Sequence, residues 1–275
     1  MPPTRRPPND KDNGLPEVKV CGVHACRAVF RARPDDILRV YVRDTSVTAL
    51  GDVLSALAKQ RRPYKVIPND ELERLTDSTH HEGVCFVVRA KPPLSLDDIL
   101  QGHEPQCVLA LTDVANPHNV GAILRTAAHF GAQAAILGGG ARVSAAALRT
   151  AQGGGEAVKV VSTNDWAAAL ASCRAAGYTL CATSSHARNN VFETRFPKKI
   201  VVLVGSEAHG LPDEVSALAD LRVTVPGTGQ VESLNVAAAT AVVLGEWWRQ
   251  RHQSDKATTA VNAPAAGKPP RGPRR

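Results

Sequence analysis

The chain has 275 residues and a formal net charge of +7, from 33 Lys and Arg against 26 Asp and Glu. That length holds one large domain or two ordinary ones with enough core to fold unaided, which removes any need for a structural metal or a disulfide framework. Cys21, Cys26, Cys85, Cys107, Cys173 and Cys181 form no C-x-x-C pair and mostly lie in apolar surroundings, so they read as reduced core thiols of a cytoplasmic protein and not as metal ligands.

Residues 1–17, rich in Pro, Arg, Asn and Asp, bury too little apolar surface to offset ordering entropy and are expected to form a disordered tail. They lack an apolar h-region, and no run in the chain approaches the roughly 18 apolar residues of a bilayer span, so neither export nor membrane insertion is expected. Residues 18–90 alternate helical and strand patterns: a helix over 21–31, strands over 38–42, 65–67 and 84–88, and helices over 53–58 and 71–75. This is a small α/β domain with an arginine-heavy surface from Arg27, Arg31, Arg33, Arg39, Arg43, Arg61 and Arg62. The adjacent His80 and His81 point apart and have no cysteine at ligand spacing, which places them in a loop.

Residues 91–106 read as a linker, with Lys91-Pro92-Pro93 and a polar stretch from Gln101 bracketing a short helix over 96–100 capped by Ser95. The segment 107–250 then repeats strand and helix: strands over 108–111, 134–137, 158–161, 178–182, 200–204 and 221–225, helices over 120–130, 145–150 and 166–176, and a final helix over 236–248, apolar on nearly every side. Apolar strands alternating with helices imply a mainly parallel sheet covered on both faces, whose ligands sit beyond the strand carboxyl ends. Residues 251–275, rich in Ala, Pro, Gly and Arg, are expected to be a disordered basic tail. Lys and Arg outnumber Asp and Glu by 13 to 9 over residues 18–92 and 7 to 1 over 249–275, but trail 10 to 13 over 93–248. A basic first domain and tail beside a mildly acidic second domain fit a polyanion held by the former and processed by the latter, and equally fit solvated charge.

Three segments at predicted strand ends carry the chemistry. The first is Asn116-Pro117-His118-Asn119-Val120-Gly121 followed by Arg125. Pro117 stiffens the turn, Asn119 offers an amide, and Gly121 lets the helix start approach another backbone. Arg125 needs a partner, either a phosphate or a carboxylate of this chain such as Asp113 or Glu207. The second, Gly205-Ser206-Glu207-Ala208-His209-Gly210, follows an apolar strand directly, and its first glycine lets a ligand pass against the backbone. The third, Val225-Pro226-Gly227-Thr228-Gly229-Gln230-Val231-Glu232-Ser233-Leu234-Asn235, leads into the most apolar helix. Asn235 at a buried helix start requires a hydrogen-bond partner, and Ser233 is a candidate N-cap.

In order and composition these segments resemble the three signature motifs of the SpoU/TrmH branch of the SPOUT RNA methyltransferases. Residues 18–90, with Cys21-Gly22-Val23-His24-Ala25-Cys26 and His81-Glu82-Gly83-Val84, resemble the ribosomal-protein-like RNA-binding domain that precedes the catalytic domain in many members, most closely in a subgroup known as tRNA/rRNA methyltransferases. The resemblance implies a trefoil-knotted α/β catalytic domain, S-adenosylmethionine held largely by backbone around Gly205, Val225 and Leu234 together with Leu203, Ser206 and Gly210, a homodimer formed through the C-terminal domain, and methylation of a ribose 2′-hydroxyl in tRNA or rRNA. Carried over by motif, Arg125, Asn119, Glu207, Ser233 and Asn235 are the catalytic positions. Arg125 would clamp phosphate and stabilise an oxyanion, Asn119 and Ser233 would orient the ribose, and Glu207 would position Arg125. Ser206 and Ala208 stand where the family often has Asn and Gly, and Glu82 where Gln is frequent. An RNA-binding protein with the same fold but no transfer activity is the alternative. A base methyltransferase fits the motif pairing less well, and a dinucleotide enzyme lacks its G-x-G-x-x-G fingerprint.

Overall fold

The computed structural model describes residues 14–102, 106–138 and 143–261. Most of the two expected tails, residues 1–13 and 262–275, lies outside them.

The first unit is a sheet of β1 (Glu17–Cys21), β2 (Ile37–Val42), β3 (Tyr64–Val66) and β4 (Val84–Arg89) in the order β1-β4-β2-β3. It carries α1 (Val23–Ala32), α2 (Gly51–Lys59) and α3 (Asn69–Thr76). The continuous apolar run of β4 takes a central place, antiparallel to both neighbours. The helix expected to begin at residue 21 begins at Val23, because residues 17–21 alternate in a two-residue period and form an edge strand absent from the expected elements. Gly22, at φ 94°, makes the turn between them. Glu82 anchors the start of α1. Its Oε2 accepts from the Val23 backbone N–H at 2.9 Å, placing a carboxylate at the positive end of the helix.

The second unit is a seven-stranded sheet, every pairing parallel, in the order β7-β6-β5-β10-β8-β11-β9. Its strands are β5 (Gln106–Leu111), β6 (Ala134–Gly138), β7 (Lys159–Thr163), β8 (Thr179–Thr183), β9 (Asn189–Asn190), β10 (Lys199–Val204) and β11 (Leu221–Thr224). Helices α4 (Leu96–Leu100), α5 (Pro117–Phe130), α6 (Ala145–Ala151), α7 (Gly154–Ala157), α8 (Trp166–Ala175), α9 (Asp213–Ala217) and α10 (Val236–Val261) complete it. Alternation along β10 feeds two cores. Ile200, Val202 and Val204 pack under α5 and α10 with Ile123, Leu124, Leu244 and Trp247, while Val201 and Leu203 face Leu170, Cys173 and Val215 on the other side.

The short helix expected within the linker is α4: Ser95 and Asp98 form a capping box, and Ile99 and Leu100 are buried in the second core. The tail does not begin at residue 251, since α10 stays helical to Val261; the residues after Arg251 include good helix formers and no Gly or Pro before residue 264. Among the described residues, no helix is long and apolar enough to cross a membrane. All six thiols are buried, and burial pushes Cys173 to about 11 and Cys181 to about 12.

The two units meet at α6 and α7. Leu148 of α6 packs against the first core. On α7, the Glu156 carboxylate receives Arg33 from the end of α1 through two hydrogen bonds, 3.0 and 3.1 Å, and Lys91 Nζ at 3.0 Å. The Glu156 side chain is 8% exposed. Such a triad makes removal of one partner costly, because a desolvated charge remains behind. Helix α7 also lies hard against α5: a Cβ on Gly154 would stand 2.6 Å from the Leu124 carbonyl oxygen. Gly154→Ala is therefore expected to cost about 1 to 3 kcal/mol by overpacking, read as a lower urea midpoint at unchanged m-value.

Candidate active site

The site is assembled from loops at the carboxyl ends of β5, β10 and β11. Strands β5 and β10 are neighbours in register from Gln106 to Leu111, and Thr112 pins their ends by giving its backbone N–H and its hydroxyl to the Val204 carbonyl at 2.9 and 3.2 Å. Beyond β5, Asn116 caps α5 by accepting from the His118 N–H at 2.9 Å, with Pro117 as the first helical residue. Asn119 is thereby placed in the first turn, buried at 8% exposure. Gly121 has the role expected of it, because a Cβ there would lie 2.6 Å from the Ala147 carbonyl oxygen.

Beyond β10, Ser206 and Gly210 exchange backbone hydrogen bonds of 2.9 and 3.1 Å, closing residues 206–210 into a tight loop. Gly205 is required by its own loop: a Cβ there would stand 2.1 Å from the Gly210 backbone. Beyond β11, residues 225–235 run back toward β10. Asn235, and not Ser233, lies at the start of α10, its Oδ1 accepting from the N–H groups of Ala237 at 3.0 Å and Ala238 at 3.4 Å.

The three loops converge on one carboxylate oxygen. Glu207 Oε1 accepts from Asn119 Nδ2 at 2.6 Å and from Asn235 Nδ2 at 2.7 Å, and Asn235 Nδ2 also lies 3.2 Å from Asn119 Oδ1. The amide of Asn119, expected to orient a ribose, is engaged at both ends within the protein. Glu207 holds asparagines and not Arg125. Arg125 is exposed and makes no hydrogen bond or ion pair among the described residues, so the alternative of a salt bridge to Asp113 or Glu207 also falls. Six residues beyond Asn119, it lies about 9 Å further along the helix and on a different face.

Beside this cluster opens a cavity of about 550 Å³, reaching the ends of β8, β10 and β11. Gly205, Ser206, Gly210, Val225 and Leu234 line it, as do Glu207 and Ser233. Leu203 does not: it points into the core beneath α8 and is fully buried. The lining adds a part that lies outside the three motifs, Thr183 at the end of β8 and Ser184, Ser185 and His186 after it. The sequence carries a signal for it, since small polar residues directly after an apolar strand of a parallel sheet mark a ligand loop. His186 and Glu232, both exposed, approach to 3.6 Å. The lining combines apolar Val204, Leu211 and Val236 with hydroxyl and backbone groups, a mix that suits S-adenosylmethionine. Among the described residues no group of His, Cys, Asp and Glu could hold a metal ion.

Comparison with known proteins places this geometry. Residues 106–245 match the SpoU rRNA Methylase family, and residues 19–94 match the model for RNA 2′-O ribose methyltransferase substrate binding. The chain belongs to the SpoU family and is an RNA methyltransferase that uses S-adenosylmethionine. It is 39% identical over 236 residues to the uncharacterized tRNA/rRNA methyltransferase YfiF of Escherichia coli O157:H7, covering 85% of this chain and 68% of that protein. The 23S rRNA (guanosine-2′-O-)-methyltransferase RlmB of Nitrosomonas europaea is 28% identical, with 90% and 96% covered. Among solved structures, the AdoMet-bound rRNA methyltransferase of Sinorhizobium meliloti superposes with a TM-score of 0.67 at 25% identity, covering 86% of this chain and 87% of that one.

The hydrogen-bonded cluster has a direct test. Glu207→Ala strands two amide donors and is expected to cost about 1 to 2 kcal/mol in chemical denaturation and to weaken cofactor binding in calorimetry. Glu207→Gln, which keeps an oxygen acceptor but not its charge, should fall between the wild type and Glu207→Ala in both.

Proposed function

We propose that the protein transfers a methyl group to a ribose 2′-hydroxyl of ribosomal or transfer RNA, that the unit of residues 18–90 binds the RNA, and that the working form is a homodimer. The observation that carries this reading is the junction of Asn119, Glu207 and Asn235 at the rim of the cavity: the three motif loops are held together where a ligand and a substrate would meet. The match of residues 19–94 to a 2′-O ribose methyltransferase substrate-binding model and the likeness to RlmB support the ribose as acceptor.

S-adenosylmethionine, when bound, supplies an electrophilic methyl group on a positively charged sulfur. A ribose hydroxyl is a weak nucleophile until negative charge on its oxygen is stabilised. Arg125 serves that purpose: its guanidinium keeps its proton throughout the usual pH range, so it clamps the adjoining phosphate and stabilises the developing oxyanion without acting as a base. Ser233, exposed on the cavity lining, orients the ribose. Asn119, Glu207 and Asn235 hold the loops that position these groups.

The position of Arg125 supports the dimer. It does not line the cofactor cavity of its own chain, so the proposed arrangement has it serve the cavity of a second copy. Helices α5 and α10 offer the contact face, with Phe130 and Trp248 at a ring separation of 6.4 Å and Trp248 40% exposed. Methyl transfer to unmodified RNA, followed by mapping of 2′-O-methyl sites, tests the acceptor; methyl found on a base rejects it. Arg125→Ala should abolish transfer and leave S-adenosylmethionine affinity unchanged, and loss of both rejects the division of labour.

Mixing tests the dimer. Leu234→Arg, which fills the cavity from an exposed position, should be inactive alone, as should Arg125→Ala. Subunit exchange between the two must restore activity if the arginine works across the dimer, and cannot if each chain is self-sufficient.

A further inference from the structure

Arg125 opens onto a second concavity, a groove of about 540 Å³ between the two units. Ala28 and Arg31 of α1 form one wall, Arg125 and His129 of α5 the other, with Gln152 before α7 and Ala241 of α10 between them. Among the described residues no Asp or Glu lines it. Arg31 is exposed and, like Arg125, makes no hydrogen bond or ion pair among the described residues. This sets it apart from most arginines of the first unit: Arg27, Arg33, Arg39 and Arg62 are ion-paired with Asp52, Glu156, Glu17 and Asp35. Two unpartnered guanidiniums facing one groove without a counter-charge form an electropositive slot that favours phosphate over any neutral ligand.

The groove is also built to keep its width. Arg33, two residues beyond Arg31, is held by both oxygens of Glu156. Lys91, just beyond the first unit, reaches the same carboxylate at 3.0 Å and the Gly155 carbonyl at 2.7 Å. The turn preceding Glu156 presses on both walls: a Cβ on Gly153 would lie 2.8 Å from Ala28 Cβ, and one on Gly154 would lie 2.9 Å from Arg125 Cα. One short element therefore fixes the end of α1 and the middle of α5 relative to each other.

We infer that Arg31 and Arg125 together grip the RNA backbone beside the target nucleotide, in a composite groove whose spacing is set by the ion triad Arg33–Glu156–Lys91. Arg31 is then a substrate-binding residue contributed by the first unit directly at the catalytic arginine, and Glu156 is a positioning residue. The inference rests on the methyl-transfer reading above. It makes the first unit part of the active site and not a remote tether.

The test is steady-state methyl transfer to bulk ribosomal and transfer RNA lacking the modification, with RNA affinity measured from about 50 to 200 mM salt. Transfer by the wild type is the precondition, and its absence counts against the underlying reading and not against the groove. Arg31→Ala should raise KM for RNA about tenfold and reduce the salt slope by about one, with kcat little changed and cofactor affinity intact. Arg31→Lys should restore the salt slope. Glu156→Gln removes a negative charge, so general electrostatics predicts tighter RNA binding, whereas a broken spacer predicts KM several-fold higher and little further effect of adding Arg31→Ala. Circular dichroism confirms that each variant is folded. An unchanged KM in Arg31→Ala, or RNA binding by Glu156→Gln at least as tight as the wild type's, overturns the inference.

Discussion

The site depends on one carboxylate oxygen. Glu207 Oε1 takes an amide N–H from each of two asparagines that stand 88 and 28 residues away along the chain, and Asn235 Nδ2 adds a 3.2 Å contact to Asn119 Oδ1. Loops of this kind are polar, exposed and short of apolar contacts, so little else holds them in register. A charged acceptor strengthens both bonds. Asn235 then passes the constraint on, because its carbonyl oxygen starts α10 while its amide holds Glu207. Burial of Val243, Leu244 and Trp247 along that helix secures the loop end on which the cluster rests.

The cluster is possible because of strand order. The chain lays down β5, β6 and β7 outward from the centre, places β8 on the other side of a gap, and fills the gap with β10. Residues following β5 and β10 are thus side by side at the same end of a parallel sheet, although almost ninety residues separate Asn119 from Glu207. Strand β11 lies beyond β8, so the loop after it must cross back over the end of β8. That crossing roofs the cavity and explains why the residues after β8 line it.

The first unit's charge has a double use. Several of its arginines hold the fold together, and one of them, through Glu156, holds the two units together. An excess of basic residues is therefore a poor count of nucleic-acid contacts. What matters is which guanidiniums remain without a partner and which surface they share, and Arg31 shares its surface with Arg125.

Much was legible in the sequence by itself. Apolar runs of four to six residues alternating with helical periods determined a mainly parallel sheet covered on both faces, since burial on both sides is the environment such strands require. Glycines, amides and hydroxyls at strand ends marked the motif loops, because a ligand site needs residues that packing does not. The strand over residues 17–21, a short edge piece beside a helical pattern that begins at its last residue, and the true cap at Asn235 were not legible, as each depends on which neighbour supplies a hydrogen bond. Only the tertiary structure decided that Glu207 binds asparagines and leaves Arg125 free, that Leu203 faces the core, and that Arg31 lines the same groove as Arg125. Local sequence specifies the faces of an element through its period, but a partner across more than a hundred residues is selected by the packing of whole helices and sheets, which no local pattern encodes.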